Sequence, residues 1–157
     1  RGILFFGLMI TNKGPFVIEY NVRFGDPECQ ILLRNLKTDF LKIIYLNTQD
    51  KLSKITIRNE KKSIVCVVLV SSGYPENFII DKKIKNIEAA RSIKGIEIFH
   101  SGTTFREGHF RSSGGRVLSI TSKADCMKEA RRLAYKALKK INWSDGFYRK
   151  DIGLRNT

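Results

Sequence analysis

A carboxylate, an amide and a guanidinium stand at alternate positions in Val17-Ile18-Glu19-Tyr20-Asn21-Val22-Arg23, just ahead of Phe24-Gly25-Asp26-Pro27-Glu28. In an extended strand side chains alternate faces, so Val17, Glu19, Asn21 and Arg23 are expected on one surface, and Phe16, Ile18, Tyr20 and Val22 on the other. Residues two apart lie roughly 6.5–7 Å apart along a strand, near enough for Glu19 and Asn21 to converge on one ion. A carboxylate oxygen and an amide oxygen are hard ligands of the kind Mg²⁺ takes, with water and phosphate oxygens filling its other positions. Arg23, next along, suits a two-pronged grip on a carboxylate or phosphate. By spacing alone, a solvated or cross-strand-paired face remains the commoner reading of Glu-x-Asn.

The elements that must position these groups follow from the pattern. "GILFFGLMI" reads as a buried strand and "TNKGP" as the turn returning it to "FVIEYNV". Asp26 is a favourable N-cap, Pro27 fits the first helical position and Glu28 suits the positive end of a helix dipole. A helix therefore opens beside the polar strand and offers backbone N–H groups to an anion. "ECQILLRNL" and "DFLKIIYLNTQDKL" read as two helical segments parted near Lys37-Thr38, and "KITIR" as the start of a second, β-rich region. There "IVCVVLV" is the clearest buried strand, followed by the loop "SSGYPEN". "IEIFH", "TTF", "HF" and "RVLSITS" are shorter strands broken by glycines and polar turns. Ser122 through Ile141 reads as the longest helix, with Ser122 and Asp125 as a variant capping box. Its apolar stripe is Met127, Ala130, Leu133, Ala134, Ala137, Leu138 and Ile141, opposite Arg131, Arg132, Lys136, Lys139 and Lys140. "WSDGFYRKDIG" returns to turn and strand. A soft boundary falls near residue 60.

At 157 residues, 42% apolar and 28% charged, the chain has the composition of a globular protein with a hydrophobic core. No apolar run reaches bilayer length and no secretory leader is visible. The opening Arg1-Gly2, leading straight into an apolar strand, raises the expectation of a piece of something larger. Three widely spaced cysteines, Cys29, Cys66 and Cys126, sit among apolar residues; they fit neither zinc nor a disulfide framework, and point to a reducing cytoplasm. The formal charge of +14 is concentrated toward the C-terminus, with thirteen Lys and Arg against five Asp and Glu after residue 100. Such a balance is compatible with nucleic acid, an anionic membrane or phosphorylated small molecules, although a wet, Lys-rich surface is a commoner reading than any one of these partners.

The string "RFGDPECQIL", with "VIEYN" before it, resembles the signature of the glycinamide ribonucleotide synthetases (phosphoribosylamine–glycine ligases), ATP-grasp enzymes of purine synthesis. "GLMIT" and "GP" precede it; "VCVVLVSSGYP", "IFHSGT", "GGRVLSIT" and "YRKDIG" follow in the family's order across essentially the whole chain. The resemblance implies an α+β chain. Residues 1–60 would be the C-terminal part of an ATP-grasp fold, antiparallel strands with helices. Residues 61–157 would be a small β-rich C-terminal domain with one long helix. It further implies that Glu19 and Asn21 hold Mg²⁺ or Mn²⁺ between ATP phosphates, that Arg23 turns toward the acceptor carboxylate or acyl phosphate, and that Leu8 and Ile18 pack on adenine. Arg149 and Lys150 would meet the ribose 5-phosphate of phosphoribosylamine. The implied partners are ATP, glycine, phosphoribosylamine and the earlier part of the same enzyme, with no nucleic acid and no membrane.

Two departures from the pattern are visible. The strand before Glu-x-Asn, where many ATP-grasp enzymes carry another metal-binding acid, has none. The substrate domain, ATP lid and first part of the nucleotide fold are not in this sequence, so this chain by itself is not expected to turn over. The competing readings are a basic nucleic-acid module, which lacks a recognised motif and an aromatic platform, and an ATP-grasp relative with another carboxylate substrate, against which "RFGDPE" speaks. His100 and His109 have no acid or cysteine at metal spacing. Gly114-Gly115-Arg116 lacks the phosphate-loop pattern and reads as a tight approach into the following strand.

Overall fold

Thr11 reverses the first strand: its hydroxyl donates to the Gly14 carbonyl at 3.0 Å and accepts the Lys13 N–H at 3.1 Å. Phe5–Thr11 (β1) and Gly14–Asn21 (β2) thereby form an antiparallel ribbon. The computed structural model describes residues 1–141 and 143–154. It divides after Glu60 into two units. In the first, the ribbon is followed by Glu28–Asn35 (α1) and Phe40–Thr48 (α2).

The ribbon's register corrects the expected faces. Phe5 opposes Asn21 and Gly7 opposes Glu19, but Leu8 opposes Val17, so Ile18 is an extra residue at a β-bulge. Cross-strand partners share a face and successive residues do not. Glu19 and Asn21 therefore lie on one face with Phe5 and Gly7, while Val17 joins Leu8 on the other. Nor is β1 the buried strand its composition predicts: none of its residues is buried. A two-stranded ribbon leaves its faces without the packing that a larger sheet supplies.

The start of α1 also differs. Pro27, expected at the first helical position, is the N-cap and makes no side-chain cap; the turn is closed by Cys29 N–H donating to Gly25 O at 2.9 Å. Asp39 does cap α2, accepting from Lys42 N–H at 2.8 Å. "KITIR" belongs to the first unit and is not a strand. After a 3-10 turn at Leu52–Lys54 it runs back along the α1–α2 junction, where Arg58 O accepts from Lys37 and Thr38 N–H and Thr38 Oγ1 accepts from Arg58 N–H. Its backbone groups are satisfied by that junction instead of a sheet.

The second unit is built on Ser63–Ser71 (β3), Lys83–Ile84 (β4), Ile96–His100 (β5), Thr103–Arg106 (β6), His109–Ser112 (β7), Arg116–Ala124 (β8) and Gly146–Phe147 (β9). An antiparallel four-stranded sheet runs β5-β8-β3-β9, and a three-stranded sheet β4-β7-β6. The short helix Ile87–Arg91 (α3) and the long Met127–Lys140 (α4) pack with the larger sheet. Ala130, Ala134 and Ala137 of α4 are fully buried, small side chains that let the helix approach β3 and β8 closely. The core joins them to Val65, Val67, Leu69, Ile96, Ile98, Val117, Leu118 and Ile120; each large aliphatic in it contributes about 1.5–3 kcal/mol.

The helix starts five residues later than expected, because β8 continues through Ala124. Ser122 is a buried strand residue opposite Val65 whose hydroxyl donates to Ala130 O, and Asp125 pairs with Lys62. Cys126 is the N-cap, without a side-chain bond, and it is exposed, unlike the apolar setting expected of it. The fold is α+β with antiparallel sheets, and among the described residues no helix is long and apolar enough to cross a membrane.

Candidate functional site

Glu19 reaches its position because Gly7 stands opposite. A Cβ on Gly7 would lie 2.9 Å from Glu19 Cγ, inside van der Waals contact, so the missing side chain makes the cradle over which the acid's stem lies. The sequence carried this signal as a lone glycine within an apolar strand, which marks a close approach. Asn21, two residues on, shares the face with Phe5 as its neighbour. Neither side chain is bound to another described residue. An acid and an amide oxygen, on one face and uncommitted, fit a hard divalent cation that completes its shell with water and phosphate. Among the described residues no three His, Cys, Asp or Glu gather into a cluster, so the donor set on offer is this two-oxygen one.

Beyond Asn21 the chain leaves the ribbon. Arg23 is exposed and donates from Nη1 to Phe24 O at 2.8 Å, which directs the guanidinium toward a hollow lined by Arg23, Phe24, Gly25, Asp26, Cys29 and Gln30. Phe24 is steadied by Phe40 of α2, ring centroids 6.0 Å apart. Gly25, the buried residue of this turn, is closely approached: a Cβ there would lie 2.4 Å from Glu28 Oε2, which would have to swing away, and 3.3 Å from the Phe5 ring. Burial, and secondarily the charge of Asp26, pushes the Cys29 thiol above its ordinary range, so it is a poor nucleophile.

The two positions expected at adenine lie differently. Leu8 is on the face opposite Glu19 and Asn21, and Ile18 is the bulged residue; they are 49% and 63% exposed. Both present apolar surface, but the register does not put them on the face of Glu19 and Asn21.

Arg149 and Lys150 belong to the second unit, in a segment docked on α4. Arg131 Nε donates to Ile152 O at 3.1 Å and its Nη2 to Lys150 O at 2.8 Å, while the guanidinium lies 4.7 Å from the Tyr135 ring centroid. Tyr135 donates its hydroxyl to Arg149 O at 2.8 Å and accepts from Ile152 N–H at 3.2 Å. Burial pushes that phenol above its usual range. This clasp was missed in the sequence, where Arg131 counted as part of a wet basic face. The Arg149 guanidinium meets both oxygens of Asp151, Nε at 2.9 Å and Nη2 at 2.5 Å.

Other motifs in this unit serve the fold. Gly102, Gly114 and Gly115 let three loops meet at one end of the larger sheet; a Cβ on Gly115 would lie 2.5 Å from the Tyr74 ring, and one on Gly102 would lie 2.8 Å from Gly114 Cα. Tyr74 accepts from Arg116 Nε at 2.9 Å. His100 ends β5, with Nδ1 2.9 Å from Thr103 Oγ1 and its ring 4.4 Å from that of Phe110. Burial, helped by the Arg91 charge and opposed by Glu88, holds its pKa below the ordinary value.

Comparison with known proteins extends beyond local geometry. The family described as "Phosphoribosylglycinamide synthetase, C domain" matches residues 64–155, and "Phosphoribosylglycinamide synthetase, ATP-grasp (A) domain" matches residues 1–29. The phosphoribosylamine–glycine ligase of Brucella melitensis is 45% identical over 98% of this chain, which covers 36% of that protein. The chloroplastic phosphoribosylamine–glycine ligase of Arabidopsis thaliana is 44% identical over 98% of this chain and 30% of its own length. The crystal structure of the phosphoribosylamine–glycine ligase of Thermotoga maritima superposes with a TM-score of 0.81 at 32% identity, covering 96% of this chain and 37% of that one. The chain thus spans about a third of the length of these relatives. With the C-domain match running through more than half of its residues, the chain belongs to the phosphoribosylglycinamide synthetase family.

Proposed function

We propose that this chain is the C-terminal part of an ATP-dependent ligase that joins glycine to 5-phosphoribosylamine, giving glycinamide ribonucleotide, ADP and phosphate in purine synthesis. The γ-phosphoryl group of ATP passes to a carboxylate oxygen of glycine, forming glycyl phosphate and ADP. The amine nitrogen of phosphoribosylamine then bonds to the acyl carbon, the C–O bond to phosphate breaks, and the nitrogen loses a proton. No side-chain nucleophile takes part.

In this reading Glu19 and Asn21 would hold Mg²⁺ or Mn²⁺, which supplies neutralisation of phosphate charge and a template for in-line transfer. Arg23 stabilises negative charge on the glycine carboxylate as it becomes an acyl phosphate. Leu8 and Ile18 offer apolar surface to adenine, and Arg149 and Lys150 offer positive charge to the ribose 5-phosphate. Arg149 would have to exchange Asp151 for that phosphate. ATP, glycine, phosphoribosylamine and the preceding part of the enzyme are the partners of this reading. Its compartment is the cytoplasm, where free Cys29, Cys66 and Cys126 are expected to stay reduced.

The observation that carries the proposal is the register that sets Glu19 beside Asn21 on one ribbon face, over a glycine that leaves room for the acid. The test is glycine- and phosphoribosylamine-dependent ADP formation by the full-length protein that carries this chain, with Glu19→Ala alongside. The proposal expects wild-type turnover that requires Mg²⁺ and a variant that keeps its melting transition but loses that turnover. Wild-type protein that forms no ADP with glycine, or a variant with unchanged kinetics, contradicts it.

A further inference from the structure

The segment docked on α4 is held at both ends and bare in the middle. Tyr148 and Ile152 pack against the core of the second unit, and the Tyr148 and Tyr135 ring centroids lie 6.0 Å apart. Between these anchors Arg149, Lys150 and Asp151 are exposed. Their main chain is nonetheless fixed, because Arg131 and Tyr135 hydrogen-bond the backbone of Arg149, Lys150 and Ile152. Two side chains of one helix therefore hold the strand of backbone from which three charged side chains project. The Arg149 fork closes on both carboxylate oxygens of Asp151. The two side chains are 72% and 55% exposed, and an ion pair so open to water contributes little and is easily parted.

We infer that Asp151 is a resident anion of the phosphate subsite: it holds the Arg149 fork in place of the ribose 5-phosphate and gives way to it, while Arg131 and Tyr135 are positioning residues that confine the exchange to side chains. The inference rests on the ligase reading and deepens it, since that reading brings Arg149 and Lys150 to the phosphate and assigns nothing to Asp151, Arg131 or Tyr135. The direction of exchange follows from charge. A phosphate monoester carries about −1.5 to −2 charge at neutral pH and three acceptor oxygens, against the single charge of a carboxylate. A guanidinium grips either anion in the same two-pronged geometry, so Arg149 changes partner without changing its mode of binding. Lys150, its neighbour in the chain, adds positive charge that favours the more highly charged anion. The carboxylate must be displaced each time, so it lowers the affinity for the phosphate.

The test titrates ribose 5-phosphate into the full-length protein by calorimetry, for wild type, Asp151→Asn, Asp151→Ala, Tyr135→Phe and Arg149→Met. Melting curves and the KM values for ATP and glycine are measured in parallel. Removing a competing exposed ion pair predicts binding about 2–5-fold tighter in the Asp151 variants. Asparagine can still accept from Arg149, so Asp151→Ala should show the larger gain. Tyr135→Phe, which lacks the hydroxyl that orders the backbone, should bind about 3–10-fold more weakly, and Arg149→Met about 10–100-fold more weakly. The KM values for ATP and glycine should stay near wild type in every variant, which a general loss of structure would not allow. Ribose 5-phosphate bound no more tightly by either Asp151 variant overturns the inference. So does wild-type affinity in Tyr135→Phe, or a parallel rise in the KM for ATP and glycine. Wild-type affinity in Arg149→Met removes the phosphate from this segment and the inference with it, while leaving the ligase chemistry standing. Wild type that forms no ADP with glycine and phosphoribosylamine defeats the ligase reading itself, so the failures are told apart.

Discussion

Gly7→Ala is the sharpest perturbation of the metal site, because it leaves both proposed ligands in place. The added Cβ would sit 2.9 Å from Glu19 Cγ. Carbon atoms settle at about 3.5–4.0 Å, so the acid's stem must retreat by about 0.6–1.1 Å. Mg²⁺ demands oxygens at about 2.0–2.1 Å in near-octahedral array, and displacement of a catalytic group by about 1 Å costs on the order of 10²-fold in rate. Gly7 is not among the glycines with positive φ, so alanine fits its backbone. Reduced unfolded-chain entropy gains about 0.4–1 kcal/mol, against about 1–3 kcal/mol for local overpacking, and the ribbon should survive. The assay is ADP formation by the full-length protein across a Mg²⁺ series, with thermal melting in parallel. The expected result is a 10–100-fold loss at fixed Mg²⁺, partly recovered at high Mg²⁺. Wild-type metal dependence in Gly7→Ala refutes the reasoning.

Leu118→Ala empties a fully buried position of β8 and should destabilise the second unit by about 2–5 kcal/mol, read as a lower denaturation midpoint. Gly115→Ala, whose methyl would meet the Tyr74 ring at 2.5 Å, should lower the melting temperature by displacing the loop that carries that ring. His100 titrates below its ordinary 6.5 in the folded chain, chiefly because it is partly buried. The unfolded chain binds its proton more readily, so stability is present above pH 6.5 and lost as pH falls toward the folded value. Urea midpoints measured from pH 7.5 to 5 should fall less steeply in His100→Gln than in wild type; parallel curves would reject the assignment.

What the sequence disclosed, and what it hid, divide along physical lines. β3 and the buried stripe of α4 were legible because each buries a face against a complete core, and burial enforces the period. The start of α4 was not: a serine followed three residues later by an acid satisfies the capping pattern, but cross-strand pairing of Ser122 with Val65 and Ile96 outcompeted it. "KITIR" has strand composition, yet its hydrogen bonds go to the α1–α2 junction. At the candidate site, residue types were legible and their faces only in part. Strict alternation kept Glu19 with Asn21 but misplaced Val17, since a bulge at Ile18 has no dependable sequence mark. The role of Gly7 under Glu19 needed the register, which pairing between strands decides.

The central claim is that Glu19 and Asn21 together hold the divalent cation. It is tested most directly by titrating Mn²⁺ into full-length protein with ADP and reading bound metal by electron paramagnetic resonance. Wild type should show a nucleotide-dependent Mn²⁺ site that Glu19→Ala and Asn21→Ala each weaken by about tenfold or more, as loss of a metal ligand predicts. Mn²⁺ bound equally well by folded samples of both variants would contradict it.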